Sequence, residues 1–253
     1  MCYLLTPNEL IIANIENVTH PEETVRVSTG GQIMENVKNF LYIGSGDSLI
    51  ILKVTDSLEI IHYNMDSTLR FGGWIGNIVH YNNLLFIAKR DKVFILDITN
   101  PISPRLLSSF EEDMGWFYPM EINYPYLYVG ERLNIYDISD PSKPQLIGSS
   151  QCIDKRKTFR GESSVFEYGD CGDLELTGNY LLARAMSGPY AGLVVCDVSA
   201  QDTVLEIGYS LGRGEGFSPV RKGSYVYTQG GNDPGWISVY DISNINIIKK
   251  EAR

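Results

Sequence analysis

The chain alternates short apolar runs with turns, and one apolar pattern of four residues occurs six times. It lies at residues 3–6, 40–43, 84–87, 126–129, 180–183 and 225–228. Runs this short, rich in Ile, Val and Tyr, predict β-strands, and no stretch sustains the 3.6-residue period of a helix. The pattern therefore predicts an all-β chain.

A second apolar run follows each copy after a turn, at 10–15, 49–54, 93–98, 133–138, 193–198 and 237–242. The penultimate positions of these runs are 14, 53, 97, 137, 197 and 241, so the spacings are 39, 44, 40, 60 and 44 residues. With a further strand on either side, each unit has four antiparallel strands, named a to d from the inside outward. Four strands in about 44 residues are typical of a β-propeller blade.

The b and c strands are apolar at successive positions, as in 93–96 and 193–196. Such runs predict strands covered on both faces. We therefore expect a six-bladed β-propeller built from six repeats in a single domain, 1–253. The repeats are 1–30, 31–72, 73–114, 115–150, 171–212 and 213–253, with an insertion at 151–170. The first repeat has no predicted inner strand, so its blade is incomplete, or the chain is part of a longer protein.

The stretches 93–101 (VFILDITNP) and 133–141 (LNIYDISDP) resemble the LVIVD repeat, an apolar strand that ends in Asp and runs into a Ser/Asp-Pro turn. Residues 193–199 and 237–243 resemble it too, whereas Asn14 and Lys53 replace the Asp in the first two repeats. The resemblance implies a β-propeller of a kind often found in bacterial and archaeal cell-surface proteins. It implies no enzyme activity and offers no catalytic residues.

The net charge of −10 and the pI near 4.8 argue against binding to nucleic acid or to anionic membranes, which needs an excess of Lys and Arg. No apolar run approaches the about 18 residues of a spanning helix, so no membrane insertion is expected. No signal peptide is visible. This indicates a cytoplasmic protein as the chain stands, or an extracellular or cell-surface one if an N-terminal part is missing. We expect a monomer or part of a longer chain.

Repetition separates structural from functional residues, because a side chain present in every blade serves the architecture. Asp97, Asp137, Asp197 and Asp241 recur at one repeat position. We expect each carboxylate to accept hydrogen bonds from the turn that follows it, as Asp does in such turns. They are therefore not predicted to be catalytic.

Departures from the pattern concentrate in the second half of the chain. The 60-residue spacing adds about 16 residues, which include Arg156, Arg160, Glu162 and Glu167, and the long b–c turns at 187–192 and 230–236 carry Tyr190, Asp233 and Trp236. Interblade loops and b–c turns emerge on one face of a propeller, so we expect these loops to gather over blades 4–6. Tolerated drift in loop length is the alternative.

Aromatic residues follow glycines where the chain enters predicted inner strands. These are Trp74, Trp116, Phe117 and Phe217, with Glu215 beside the last. They either plug the channel or form a recognition surface for a sugar or peptide, where Trp is favoured. His80 lies in a predicted inner strand and either faces the channel or is a structural histidine. His20, His62 and His80 lack metal-ligand spacing, so no metal or other cofactor is predicted.

Cys152 and Cys171 bracket the insertion and are predicted to lie within disulfide reach, whereas Cys196 sits in a strand predicted to be buried. No Cys-x-x-Cys spacing indicates zinc.

Together these features favour a non-catalytic binding module that recognises a protein, peptide or glycan through the loop-rich face of blades 4–6. Two alternatives stay open. One is a hydrolase or lyase at the channel mouth, with carboxylates such as Asp170 and Glu215, which would need two positioned acids of different pKa. The other is a structural segment of a larger cell-surface protein.

Overall fold

The structure is a computed structural model, and it describes residues 1–17, 19–55, 60–63, 71–115, 118–130, 132–150, 157–158, 165–166, 170–186, 191–200, 203–212, 215–230, 237–244 and 249–252. These residues contain strands and turns and no helix, which confirms the all-β prediction for the described part of the chain. It follows that none of the described segments is a helix able to cross a membrane.

The chain divides into two compact units, Met1–Glu111 and Glu112–Arg253. The strands of the first unit are β1 Cys2–Leu5, β2 Leu10–Asn14, β3 Glu22–Val27, β4 Ile33–Val37, β5 Phe40–Ser45, β6 Ser48–Val54, β7 Ile60–Tyr63, β8 Ile75–Tyr81, β9 Leu84–Lys89, β10 Lys92–Asp97 and β11 Arg105–Glu111. They form three antiparallel sheets in chain order: sheet 1 (β1–β3), sheet 2 (β4–β7) and sheet 3 (β8–β11).

The strands of the second unit are β12 Met120–Asn123, β13 Tyr126–Val129, β14 Asn134–Asp137, β15 Gln145–Ser150, β16 Lys157–Thr158, β17 Val165–Phe166, β18 Asp170–Thr177, β19 Tyr180–Met186, β20 Ala191–Asp197, β21 Thr203–Gly212, β22 Glu215–Lys222, β23 Tyr225–Gly230, β24 Ile237–Asp241 and β25 Lys249–Ala252. Sheet 4 (β12–β15) and sheet 5 (β18–β21) join through a short parallel pairing of β15 with β21. Sheet 6 is β22–β25, and β16 pairs with β17 inside the insertion.

Sheet 2 is buried on both faces by its neighbours in the chain. Leu41 and Leu52 pack against Leu10 of sheet 1, whereas Tyr42, on the opposite face of β5, packs in the cluster that holds Leu85 of sheet 3. All four leucines are fully buried. Each gains roughly 1.5–3 kcal/mol from leaving water. This explains why the b and c strands carry consecutive apolar residues.

Sheet 5 shows the same arrangement in the second unit. Leu181 of β19 packs with Tyr128 of sheet 4, and the adjacent Leu182 packs with Tyr240 of sheet 6. Cys196 is fully buried against sheet 4, which confirms its predicted place in a buried strand. Successive side chains of a strand point to opposite faces, so alternate residues of β19 serve two different interfaces.

The recurring acid closes the same turn in each sheet that has it. In the four repeats with Asp, Oδ1 accepts the backbone N–H two residues later at 2.8 Å, from Thr99, Ser139, Ser199 and Ser243. Asn14 does the same for Glu16 at 2.9 Å. These bonds confirm the structural role predicted for Asp97, Asp137, Asp197 and Asp241.

A β-bulge between strands c and d accompanies this residue. The register shifts at Ile12/Ala13, Ile95/Leu96, Ile135/Tyr136, Val195/Cys196 and Val239/Tyr240. In sheet 2, where Lys53 replaces the acid, the pairs from Ile51↔Tyr63 to Val54↔Ile60 keep one register. The bulge bends the outer strand and increases its twist. The recurring residue therefore lies at the turn after which strand d begins.

Candidate functional site

Connections between consecutive sheets lie beside the b–c turns, at what we call the loop end of each sheet. In the first unit, the N–H of Ile75 donates to the carbonyl of Gly46 at 2.8 Å, and the N–H of Gly31 donates to the carbonyl of Thr6 at 3.0 Å. In the second unit, the N–H of Gly130 donates to the carbonyl of Pro119 at 3.1 Å. Backbone hydrogen bonds therefore tie these two kinds of loop together, as propeller geometry predicts.

Trp74 projects from the loop end of sheet 3 and is 57% exposed. The connection that carries it is anchored by Phe71, which is buried and meets the ring of Phe94 edge-on, with centroids 5.0 Å apart. Gly72 follows with a φ of +63°, a turn conformation that favours glycine. The indole is thus held outward by an anchored turn instead of packing into the core.

An ion pair lies at the same end of sheet 3. Lys89 Nζ is 2.6 Å from Asp91 Oδ1, and the lysine side chain is 15% exposed. The hydrogen bond from Lys89 is the main reason that the pKa of the Asp91 carboxyl is lowered. Lys89 also pairs in register with Ile75, the residue after Trp74. The loop end of sheet 3 therefore combines an exposed aromatic ring with charge of both signs.

Most other predicted site residues lie outside the described residues: Trp116, Phe117, Arg156, Arg160, Glu162, Glu167, Tyr190, Asp233 and Trp236, together with Cys152 of the predicted disulfide. For Glu215, Phe217 and Cys171 the structure gives the backbone. Glu215 begins β22 and pairs with Gly230, Phe217 pairs with Gln229, and Cys171 pairs with Ala185. Glu215 and Phe217 therefore lie at the end of sheet 6 from which the 231–236 turn leaves.

The insertion contains a β-hairpin of its own. Lys157 pairs with Phe166 and Thr158 with Val165, which places Arg160 and Glu162 in the segment that joins β16 to β17. The first residue of β18, Asp170, pairs with Met186 at the start of the turn that holds Tyr190. The insertion thus returns to sheet 5 beside its b–c connection, 187–190. This connection is as long as that of sheet 4, 130–133, so the long turn predicted at 187–192 is not found: the additional residues extend β19 and β20 instead. The sequence pattern did not predict this hairpin.

The inner strands of sheets 2 and 3 are joined by a carboxylate and an imidazole. Nδ1 of His80 on β8 forms a short hydrogen bond with Oε1 of Glu35 on β4. Burial raises the pKa of Glu35, and the hydrogen bond with His80 acts in the opposite direction. Sequence reasoning singled out His80 and missed Glu35, because their contact depends on how two sheets pack.

A buried carboxylate organises the loop end of sheet 4. Glu112 is 9% exposed and accepts hydrogen bonds from Asn134 Nδ2 at 3.0 Å and from Tyr136 Oη at 2.8 Å. Burial, and then the bond to Glu112, raises the pKa of Tyr136. A Cβ on Gly130 would lie 2.6 Å from the same carboxylate. The network fixes the b–c turn of sheet 4 against the connection before β12.

The LVIVD-repeat family model matches residues 72–112 and 123–151. The chain contains LVIVD repeats. The matched segments include the stretches at 93–101 and 133–141 that carry the resemblance in sequence, and they cover sheet 3 and most of sheet 4. No curated protein matches this chain in sequence.

Solved structures similar to this chain share its fold at low identity. A candidate 6-phosphogluconolactonase from Bacteroides uniformis has a TM-score of 0.64 at 13% identity, covering 96% of this chain and 76% of that one. A second from Bacteroides fragilis has a TM-score of 0.51 at 11% identity, covering 96% and 88%. Hsv2 from Kluyveromyces marxianus has a TM-score of 0.55 at 11% identity, covering 97% and 77%. These likenesses show a propeller-like fold and nothing about activity.

Proposed function

We propose that the chain is a non-catalytic binding module on a six-bladed β-propeller, with its binding face at the loop ends of sheets 4–6. The proposed ligand is a protein, peptide or glycan. Six repeats and six meandering sheets support the blade count, with sheet 1 as a blade of three strands. Alternate residues of b strands pack against the preceding and following sheets, as the blades of a propeller do.

The observation that carries the proposal is the hairpin β16–β17. An insertion that had only drifted in length would need no hydrogen-bonded pairing of its own, whereas this one pairs Lys157 with Phe166. Arg160 and Glu162 stand between these two strands in the sequence. Recognition residues are commonly carried by loops held on a rigid scaffold. A guanidinium and a carboxylate in one such segment suit polar groups of a peptide or a glycan.

Backbone pairing supports the same face in sheets 5 and 6. Asp170 pairs with Met186 beside the turn of Tyr190, and Glu215 pairs with Gly230 beside the turn of Asp233 and Trp236. Sheets 5 and 6 pack face to face through Leu182 and Tyr240. The b–c connections of two adjoining sheets would then provide a continuous surface for one ligand.

Trp74 supports recognition at loop ends in the first unit. Its ring is 57% exposed although the connection beneath it is anchored. Exposing an aromatic ring to water is unfavourable, and Trp is enriched among the residues that dominate binding energy. We propose Trp74 as a recognition residue of the first unit, separate from the face at sheets 4–6.

The test is to screen the protein against a glycan array and a peptide array, then to measure the affinity of the best binder by biolayer interferometry. The variants are W74A and a deletion of residues 155–168. L106A is the matched control, because Leu106 is also an exposed apolar side chain of sheet 3, 44% exposed, but lies on the outer strand β11.

Each test variant should weaken binding by about tenfold or more, the loss typical of a central contact, while L106A binds as the wild type does. Unchanged affinity in the deletion variant would remove the insertion from the site, and unchanged affinity in W74A as well would show that the loop ends are the wrong surface. Absence of any specific binder on both arrays would contradict the proposed ligand classes.

A further inference from the structure

Glu35 and His80 face each other across the interface between sheets 2 and 3. In the sheet registers Glu35 stands opposite Tyr42, and His80 stands opposite Leu85. Residues directly opposite in an antiparallel pair point to the same side of the sheet, and Tyr42 and Leu85 belong to one apolar cluster. The carboxylate and the imidazole therefore lie on the two faces that pack together, on the inner strand of each sheet.

The pair is only partly enclosed. The side chain of His80 is 34% exposed and that of Glu35 is 26% exposed. The ring nitrogen engaged with Glu35 is Nδ1. A purely structural link between the two sheets requires only that one hydrogen bond. Because one-third of the His80 side chain stays exposed, the ring can also contact a molecule from solution.

We propose that Glu35 and His80 form a proton-accepting site, in which the carboxylate keeps the proton on Nδ1 and leaves Nε2 open to the O–H group of a ligand. A neutral imidazole has one donor and one acceptor nitrogen, and an ionised carboxylate can only accept. With Glu35 ionised and the imidazole neutral, the bond to Glu35 places the proton on Nδ1 and the lone pair on Nε2. This site lies in the first unit and is independent of the binding face proposed above.

The chemistry of such a site follows from its charges. When Nε2 takes the proton of a ligand O–H, the oxygen keeps the electron pair and the ring becomes an imidazolium cation beside the Glu35 carboxylate. An orienting carboxylate stabilises that cation and holds the ring, which is how histidines that act as general bases are supported. The ligand class is a molecule that donates an O–H, such as water or a sugar hydroxyl.

The first experiment determines the tautomer. The chain has three histidines, so long-range ¹H–¹⁵N correlation spectra resolve each ring, with H80N to assign the signal. In the neutral ring we expect the Nδ1–H form for His80 and its loss in E35L, whereas E35Q, which retains an acceptor oxygen, should keep it in part. An Nε2–H tautomer in the wild-type protein would overturn the proposal without any variant.

The second experiment tests whether Nε2 is open. Diethyl pyrocarbonate stands in for the ligand, because the Nε2 lone pair bonds to its carbonyl carbon, the C–O bond breaks with loss of ethyl carbonate, and the Nδ1 proton passes to solvent. Peptide mass mapping of the folded protein reads the modified ring. The control is His20, an exposed residue whose Nδ1 lies 2.9 Å from Thr19 Oγ1.

We expect His80 to react in the folded protein at a rate within about threefold of the His20 rate, since its ring is partly exposed. If His80 shows the Nδ1–H tautomer but reacts at least about tenfold more slowly than His20, its Nε2 is not open to solution. The pair would then only link the two sheets, and the proposal would be wrong. Both readouts are made on the wild-type protein, and H80N serves only to assign the His80 signal, so the outcome does not depend on whether E35L or E35Q folds.

Discussion

Replacing Asp137 is the sharpest test of how the repeats are stabilised. Its Oδ1 accepts the N–H of Ser139 at 2.8 Å, and hydrogen bonds from the side chain and then the backbone of Ser139 lower its pKa. Asp137 is preferred to Asp97, because Asp97 also contacts Arg105 at 3.2 Å and its loss would mix two effects. D137A removes one turn-closing bond and little else.

The expected cost follows from the bond and its exposure. A partly solvated hydrogen bond contributes about 0.5–1.5 kcal/mol to the free energy of unfolding. In a protein of this size that loss corresponds to a drop in Tm of roughly 1–6 °C. D137N should lose about half as much, because a neutral acceptor makes a bond about half as strong as a charged one. Asn14 already shows that an amide can accept the equivalent bond, at 2.9 Å.

The assay is urea denaturation followed by circular dichroism and by tryptophan fluorescence, with the m-value compared between variants. The quadruple variant D97A/D137A/D197A/D241A should lose about 2–6 kcal/mol if the four distant sites add. Equal damage from D137N and D137A would show that hydrogen-bond acceptance is not what Asp137 contributes. Unchanged stability with altered ligand binding would show that the repeated acid is functional after all.

Three further outcomes are expected. G130A should destabilise the protein more than G223A does. Both variants carry left-handed backbone strain of about 1–2 kcal/mol, but only at Gly130 would the new Cβ meet a buried carboxylate. Equal effects of the two variants in thermal melts would contradict this. The lowered pKa of Asp137 implies a stabilising contribution that is complete above the ordinary Asp pKa of 3.8 and is lost as the pH falls below it. The free energy of unfolding should therefore fall less steeply with decreasing pH in D137N than in the wild-type protein. After air oxidation Cys152 and Cys171 should appear as one disulfide in non-reducing peptide maps, a bond worth roughly 3 kcal/mol in the chain-entropy model, and free thiols at both positions would refute the pairing.

The strands could be predicted from the sequence because strands buried on both faces carry consecutive apolar residues, and these runs recur in each repeat. Any strand between two sheets must be apolar at successive positions, and the run at 193–198 accordingly becomes β20, Ala191–Asp197. The acid that ends such runs was recognisable because it is repeated and is followed by a turn residue such as Ser199. Its hydrogen bond is local, two residues along the chain, so sequence proximity alone was enough to predict it.

The candidate sites could be predicted only in part, because their contacts join residues far apart in sequence. Glu35 meets His80 45 residues later, and Glu112 meets Asn134 22 residues later. No repeat pattern encodes these pairs, since each depends on how one sheet or loop packs against the next. Trp74 was recognisable because an aromatic residue follows glycine where the chain enters a predicted inner strand, but its outward direction depends on the anchoring of Phe71.

The same substitution at one repeat position should have different effects in two sheets. Tyr42 and Tyr128 are the third residues of the b strands β5 and β13. Tyr42 Oη donates to the carbonyl of Pro101 at 3.0 Å, whereas Tyr128 Oη is buried and interacts with the side chain of Asn123 without forming a hydrogen bond of standard geometry in the described part of the chain. Y42F should therefore cost about 0.5–1.5 kcal/mol, and Y128F should cost less, because the hydroxyl that it removes makes no hydrogen bond of standard geometry. Chemical denaturation of the two variants side by side measures the difference. A Y128F variant destabilised as much as Y42F would contradict this expectation and would show that the Tyr128 hydroxyl makes a full hydrogen bond, with Asn123 or with another group.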